Sequence, residues 1–292
     1  MTYKNEEGYL QLLSDILEHG VDIPDRTGVG CRAIFGVDVE YNTFCLSTVR
    51  PASLRLAFEE MMFFLRGKTN TKELEAKGVN FWKGNTSREF LDNRGLEYLP
   101  EGSLGAAYST QWRNSGGYFD TNGGVDQLQQ LVDILANERY SRRNLVMLWN
   151  PSENDYGVLT PCWFGSQWIV LPNKDGDDEL HCYLFNRSND SLFGATFAFQ
   201  QYRFLQLALC KMFGFKLGKL KACITHAHIY HNQIDYVKET LTRELGQQGT
   251  VEITKDIKTL DDLLSLEWED VKVSGLVVNN KPYVNERPSM AV

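Results

Sequence analysis

Apolar residues recur every three or four positions from residue 6 to residue 19 (EEGYLQLLSDILEH), which gives a helix one hydrophobic face. The run stops at Gly20, read as its C-cap. A polar loop, DIPDRTGVG, covers 22–30, and residues 31–48 mix β-branched and aromatic side chains as strands do. Residues 53–66 (SLRLAFEEMMFFLR) predict the most apolar helix of the chain, capped by Ser53 and ended by Gly67. Residues 81–123 are rich in Gly, Asn and Ser and predict a long functional loop region with short helices. A helix over 124–138 follows, then strand-like runs at 144–150, 162–171 and 179–187, the last two joined by the turn NKDGDD. Residues 194–213 predict a long helix buried on most sides, 217–230 a strand, 232–245 a helix, and the last forty residues short strands and turns. Helices and strands in this irregular order imply an α+β fold with a mixed or mostly antiparallel sheet, in a single domain over 1–292.

Composition narrows the function. Hydrophobic residues make up 42% and charged residues 23% of the 292 residues, a globular balance. The net charge of −8 is wrong for a grip on nucleic-acid backbone, though a few placed Arg can still hold a small anion. No apolar run is long enough for a membrane span, and the first residues carry no secretory h-region. Six scattered Cys without CxxC spacing then read as free thiols, and a cytoplasmic enzyme or small-molecule binder is expected.

Several residues can carry chemistry. Cys162 follows Thr-Pro and opens an apolar strand, as an inert core thiol or as a nucleophile presented by the turn. Arg26, Arg142, Arg143 and Arg187 sit at element edges beside Gly, Ser, Thr or Asn, the company of an oxyanion-binding guanidinium and also of a solubilising one. Glu60 lies inside FEEMMFFL, where it either pairs with Arg55 or, desolvated, gains a pKa useful for proton transfer. His226 and His228 form an HxH pair with no ligand residue at a nearby spacing, so pocket hydrogen bonding is favoured over metal. Asp190 precedes a Gly turn into a helix, and Trp82 and Tyr108 offer faces to a flat ligand.

Taken in order, DRTGVG, EEMMFFLRGKTN, SREFLDNRG, LGAAYSTQWR, SRRN, LWNP, TPC, RSNDSLFG, HIYHN and PSMAV resemble the thymidylate synthase family over essentially the whole chain. The resemblance implies that Cys162 adds to C6 of a pyrimidine, so that C5 attacks the methylene of 5,10-methylenetetrahydrofolate. It makes Arg26, Arg187 and Ser188 clamps on the 5′-phosphate of a deoxypyrimidine monophosphate. Arg142 and Arg143 would reach that phosphate from the partner subunit of a homodimer. Glu60 would relay protons, with Tyr108 a catalytic aromatic. His228 and Tyr230 would bind the sugar 3′-hydroxyl, and Asn186, Trp163 and Ala198 would line the substrate. Trp82, Asp190, Gly194, Arg50 and the terminal Val292 would face the reduced folate. The same Arg set is expected to lower the Cys162 pKa. No metal, nucleic acid or membrane is implied.

The chain departs from the family pattern inside the active site. Pro-Phe-Asn becomes Thr196-Phe197-Ala198, and Ala198 lacks the amide that reads the uracil edge. Trp163 replaces a smaller residue after the nucleophile, Lys83 follows Trp82, Gly105-Ala106-Ala107-Tyr108-Ser109 is altered, and Thr225-His226 replaces Gly-Asp. Phage deoxycytidylate hydroxymethylases are relatives that also change here. The departures suggest hydroxymethylation, on dUMP rather than dCMP because position 198 carries no acid. A thymidylate synthase, or a dCMP hydroxymethylase, is the alternative.

Overall fold

Eight strands share one sheet in the computed structural model, which describes residues 2–117 and 123–289. They are β1 (Thr2–Lys4), β2 (Val21–Ile23), β3 (Cys31–Tyr41), β4 (Leu145–Met147), β5 (Trp163–Pro172), β6 (Asp178–Asn186), β7 (Asn189–Asp190) and β8 (Lys216–Tyr230). The order is β1-β3-β8-β6-β5-β4, with β2 on β3 and β7 on β8. Pairs β3–β8, β5–β6 and β4–β5 are antiparallel, whereas β6–β8 and β1–β3 are parallel, so the sheet is mixed and the fold α+β as expected. A separate antiparallel pair, β9 (Thr250–Ile253) and β10 (Val271–Ser274), lies near the C-terminus.

The helices are α1 (Asn5–His19), α2 (Leu54–Leu65), α3 (Lys72–Glu75), α4 (Arg88–Asn93), α5 (Tyr108–Arg113), α6 (Gln127–Asn137), α7 (Gly194–Phe213), α8 (Ile234–Leu241) and α9 (Leu260–Leu264). Alternation along β6 sends Leu180, Cys182, Leu184 and Asn186 inward, where they meet the core that α7 and α2 complete. In the middle of α7, Arg203 is fully buried. Its guanidinium donates to the carbonyls of Tyr41, Thr43 and Gly218 and to Gln206 Oε1, all at 2.7–2.8 Å. This charge is tolerated because nearly every N–H finds an acceptor, and it ties α7 to both β3 and β8.

The element boundaries correct several expectations. Gly20 is not left-handed: its φ is −71°, and it is glycine because a Cβ would lie 2.3 Å from Ile16 O and 2.6 Å from Arg32 Cγ. The strand expected to run to residue 48 stops at Tyr41. From Phe44 to Arg50 the chain is buried outside any strand, and the Glu6 carboxylate takes the Thr48 hydroxyl at 2.6 Å and the Val49 N–H at 3.2 Å. Asp126 caps α6 by accepting from Gln129 N, so that helix starts at 127 and not 124. β4 ends early because Leu148 N and Trp149 N both donate to Phe164 O, which breaks the ladder. Thr259 and Asp262 cap each other's backbone N–H and start α9, a helix in a region read as strands and turns.

Candidate active site

The β5–β6 register creates the first contact of the site. Trp163 pairs with Asn186, so the residue before β5 and the residue after β6 must meet. They are Cys162 and Arg187. Arg187 N donates to Cys162 O at 3.0 Å, and its guanidinium donates to Pro161 O (3.0 Å) and Thr160 O (2.8 Å). That leaves Nη2 3.8 Å from the Cys162 Sγ. From the other side, the Tyr108 hydroxyl accepts from Cys162 N at 2.8 Å. The turn carrying the thiol is therefore fixed at both ends.

Charge around the thiol differs from the expectation. Burial raises the Cys162 pKa; Arg187 and Arg26 pull it down, Asp190 pushes it up, and burial wins. The guanidinium groups thus offset desolvation without reversing it. Tyr108 is held as a neutral phenol, its pKa raised well above 10 by burial. Its ring stacks on Phe64 at 5.2 Å and meets Trp82 edge-on.

Glu60 is buried on α2 and does not pair with Arg55, which instead donates to Lys77 O. Trp82 Nε1 donates to Glu60 Oε1 at 2.6 Å, and Gln201 Nε2 donates to Oε2. Burial raises the carboxyl pKa to about 7, against the lowering effect of these two donors. Of the two readings the sequence left open, desolvation is the one realised.

These groups share one cavity of about 320 Å³, the size range of small-ligand sites. Cys162, Glu60, Tyr108 and Trp82 line it, as do Trp163 and Ala198 on the side of α7. Asp190 and Gly194 complete the wall at the start of that helix. Asp190 accepts from Leu192 N, Phe193 N and Gln233 Nε2, and burial raises its pKa. Gln201 and Arg287 are among the lining residues that escaped the sequence reading. The signal for Gln201 was available, since it stands three residues after Ala198 and so on the same helix face.

Other expected residues lie off the cavity wall. Arg26 is exposed on a loop shaped by Asp25, which accepts from Thr27 Oγ1 and Gly30 N while Gly28 and Gly30 take φ of 76° and 74°. Ser188 is half-buried next to Arg187. Asn186 is buried, and its amide atoms have no partner among the described residues. Arg50 is buried behind Phe193, with its guanidinium 5.4 Å from that ring and a bond to Thr196 Oγ1 at 3.1 Å. Arg142 and Arg143 are exposed between α6 and β4. His228 and Tyr230 lie on β8, where β7 pairs Asp190 with His228. Burial, then His226, lowers the His228 pKa to about 4, and the two Nδ1 atoms sit 3.1 Å apart. Val292 falls outside the described residues. Among the described residues, no three His, Cys, Asp or Glu gather as a metal site, and no helix is long and apolar enough to cross a membrane.

Known proteins are similar to this chain over most of its length. The family model for thymidylate synthase matches residues 7–285. The chain is 34% identical over 281 residues to thymidylate synthase of Saccharomyces cerevisiae, covering 91% of this chain and 92% of that protein. It is 34% identical over 293 residues to the human thymidylate synthase, covering 97% and 90%. Against the thymidylate synthase of human herpesvirus 8 it is 35% identical over 300 residues, covering 100% and 86%. A thiol on a fixed turn, a buried carboxyl in the same cavity and similarity over most of the chain have one common explanation: the chain belongs to the thymidylate synthase family, one-carbon transferases that use methylenetetrahydrofolate as co-substrate.

Proposed function

We propose that the protein transfers a one-carbon unit from methylenetetrahydrofolate to C5 of dUMP and that water completes the reaction, giving 5-hydroxymethyl-dUMP. The observation that carries the reading is the cavity wall: it keeps Cys162, Glu60 and Trp82 but replaces the family's base-reading Asn by Ala198 and inserts Trp163. Cys162 loses its proton and its sulfur bonds to C6, which leaves C5 electron-rich. C5 attacks the folate methylene, loses its own proton, and expels tetrahydrofolate to leave an exocyclic methylene on the ring. Water adds to that carbon as the C6–S bond breaks, and Glu60 is placed to take the water proton. The net change is dUMP, methylenetetrahydrofolate and water to hydroxymethyl-dUMP and tetrahydrofolate, with no oxidation. In the rival outcome hydride from the folate reaches the carbon first, and dTMP and dihydrofolate form. The names of the relatives and the retained Trp82 favour that second reading.

Arg26 and Arg187 hold the substrate phosphate in this reading, with Ser188 beside them, while His228 and Tyr230 hold the sugar and Asp190 and Trp82 the folate. Arg142 and Arg143 lie away from the cavity of their own chain and serve that of a second copy. The sheet supports such a pairing. Rows Met147–Gly165–Phe185–Cys223 and Leu145–Gln167–Tyr183–Lys221 cross four strands on the face opposite α7, and Met147 and Leu145 are exposed. Phe35, on the adjoining β3, is 85% exposed. Burying such a face is the ordinary way to a two-fold dimer.

Three outcomes are expected. Incubated with methylenetetrahydrofolate and dUMP, the protein yields hydroxymethyl-dUMP by mass spectrometry with no net dihydrofolate absorbance, and Cys162→Ala lowers turnover by ~10⁴-fold or more; a purely methylated product contradicts the proposal. The rate falls as pH drops through about 7, because protonating Glu60 removes the form that its two N–H donors hold. Glu60→Gln is slower by ~10²–10⁴-fold and loses that limb of the profile, whereas a limb that survives the substitution belongs to another group. Mixing Cys162→Ala chains with Arg142→Ala/Arg143→Ala chains restores about a quarter of wild-type activity, since only the heterodimer holds one intact site; mixtures that stay inactive rule out sharing.

A further inference from the structure

Buried polar residues interrupt the apolar face of α7, among them Gln200, Gln201, Arg203 and Gln206. Three of them tie the helix to main chain: Gln200 donates to Cys45 O, Gln206 to Leu180 O, and Arg203 to the carbonyls named above. Gln201 alone of the four turns into the cavity, in the company of Cys162, Trp163 and Glu60. It stands one helical turn from Ala198, on the same face, beside the gap left by the missing family amide.

The Gln201 carboxamide is half used. Its Nε2 donates to Glu60 Oε2. Its Oε1 accepts from none of the described residues, yet it is not among the sealed, unpartnered polar atoms, so it opens on the cavity. An amide nitrogen has two hydrogens, so one N–H and Oε1 remain side by side for a ligand. A buried amide left in that state is destabilising unless something pairs with it.

We propose that Gln201 is the specificity-determining residue that reads the N3–O4 edge of the uracil ring, in place of the side chain absent at position 198. This deepens the assignment of a deoxypyrimidine monophosphate as substrate and rests on it. Uracil offers N3–H as donor and O4 as acceptor, which match Oε1 and the second N–H of Gln201. Cytosine reverses the order, with an amino donor at C4 and an acceptor at N3. A free carboxamide accommodates either base by flipping. Gln201 does not flip without turning Oε1 against the Glu60 carboxylate, so the Glu60 bond fixes which order the cavity accepts. Discrimination then comes from the pair, with Glu60 setting the orientation and Gln201 making the contact.

The test compares release of tritium from C5 of labelled dUMP and labelled dCMP for the wild type, Gln201→Leu and Gln201→Glu, each with methylenetetrahydrofolate. The wild type is expected to favour dUMP in kcat/KM. Gln201→Leu lowers the dUMP-to-dCMP ratio by about 10- to 100-fold, the range of a bidentate base contact. Gln201→Glu, nearly isosteric and so the deciding variant if the Leu protein does not fold, shifts the ratio toward dCMP because a carboxyl accepts from the cytosine amino group. If both variants slow the two substrates equally, with the ratio unchanged and only the pH profile displaced, Gln201 merely positions Glu60 and the assignment is wrong. If the wild type turns over both bases alike, the assignment is also wrong. If it releases tritium from neither, the substrate class falls and takes the assignment with it.

Discussion

The site depends on one contact at the open end of a hairpin: the Cys162 sulfur against the Arg187 guanidinium, 3.8 Å apart where β5 begins and β6 ends. Backbone pairing, not side-chain chance, sets it. The guanidinium is already committed to Thr160 O and Pro161 O, so it braces the turn that presents the thiol as well as facing it. Burial nonetheless keeps the resting thiol above its ordinary pKa. Burial thus favours the neutral thiol, while the nearby positive charge lowers the penalty of forming a thiolate.

Glu60 follows the same logic with the opposite charge. A carboxyl in the middle of an apolar helix would be costly alone, and two N–H donors from different elements make it tolerable. The compromise leaves it near neutrality, where a carboxyl both gives and takes protons readily. Trp82 and Gln201 therefore set how readily this carboxyl ionises, although neither titrates in this range. Of the departures from the family pattern, Trp163 and Ala198 line the cavity that holds this carboxyl and the thiol, whereas Lys83 and Thr225 are exposed.

Much of this was legible in the sequence because it is local. α7 was read at its observed bounds because apolar residues dominate the segment from Gly194 to Phe213 despite its buried amides and Arg203. The turn signals around Asn173–Asp178 predict the β5–β6 hairpin, but the meeting of Cys162 and Arg187 at its open end needed the strand register. What failed was non-local. The end of β3 is set by Glu6, some forty residues away, and α9 is too short for periodicity to show, resting on a two-residue capping box. The Cys162 pKa was misjudged because counting Arg residues gives the charge but not the burial. Gln201 was passed over because a lone amide in an apolar helix looks like Gln200 or Gln206 until the cavity is seen.

The central claim is that the Cys162 sulfur bonds to C6 of a pyrimidine nucleotide. Its most direct test is intact-protein mass spectrometry after incubation with 5-fluoro-dUMP and methylenetetrahydrofolate, in which fluorine blocks loss of the C5 substituent and traps the adduct. The account predicts a ternary complex of one nucleotide and one folate per site, mapped to Cys162 by peptide analysis and absent from Cys162→Ser. An unmodified wild-type mass, or an adduct on any other residue, contradicts it.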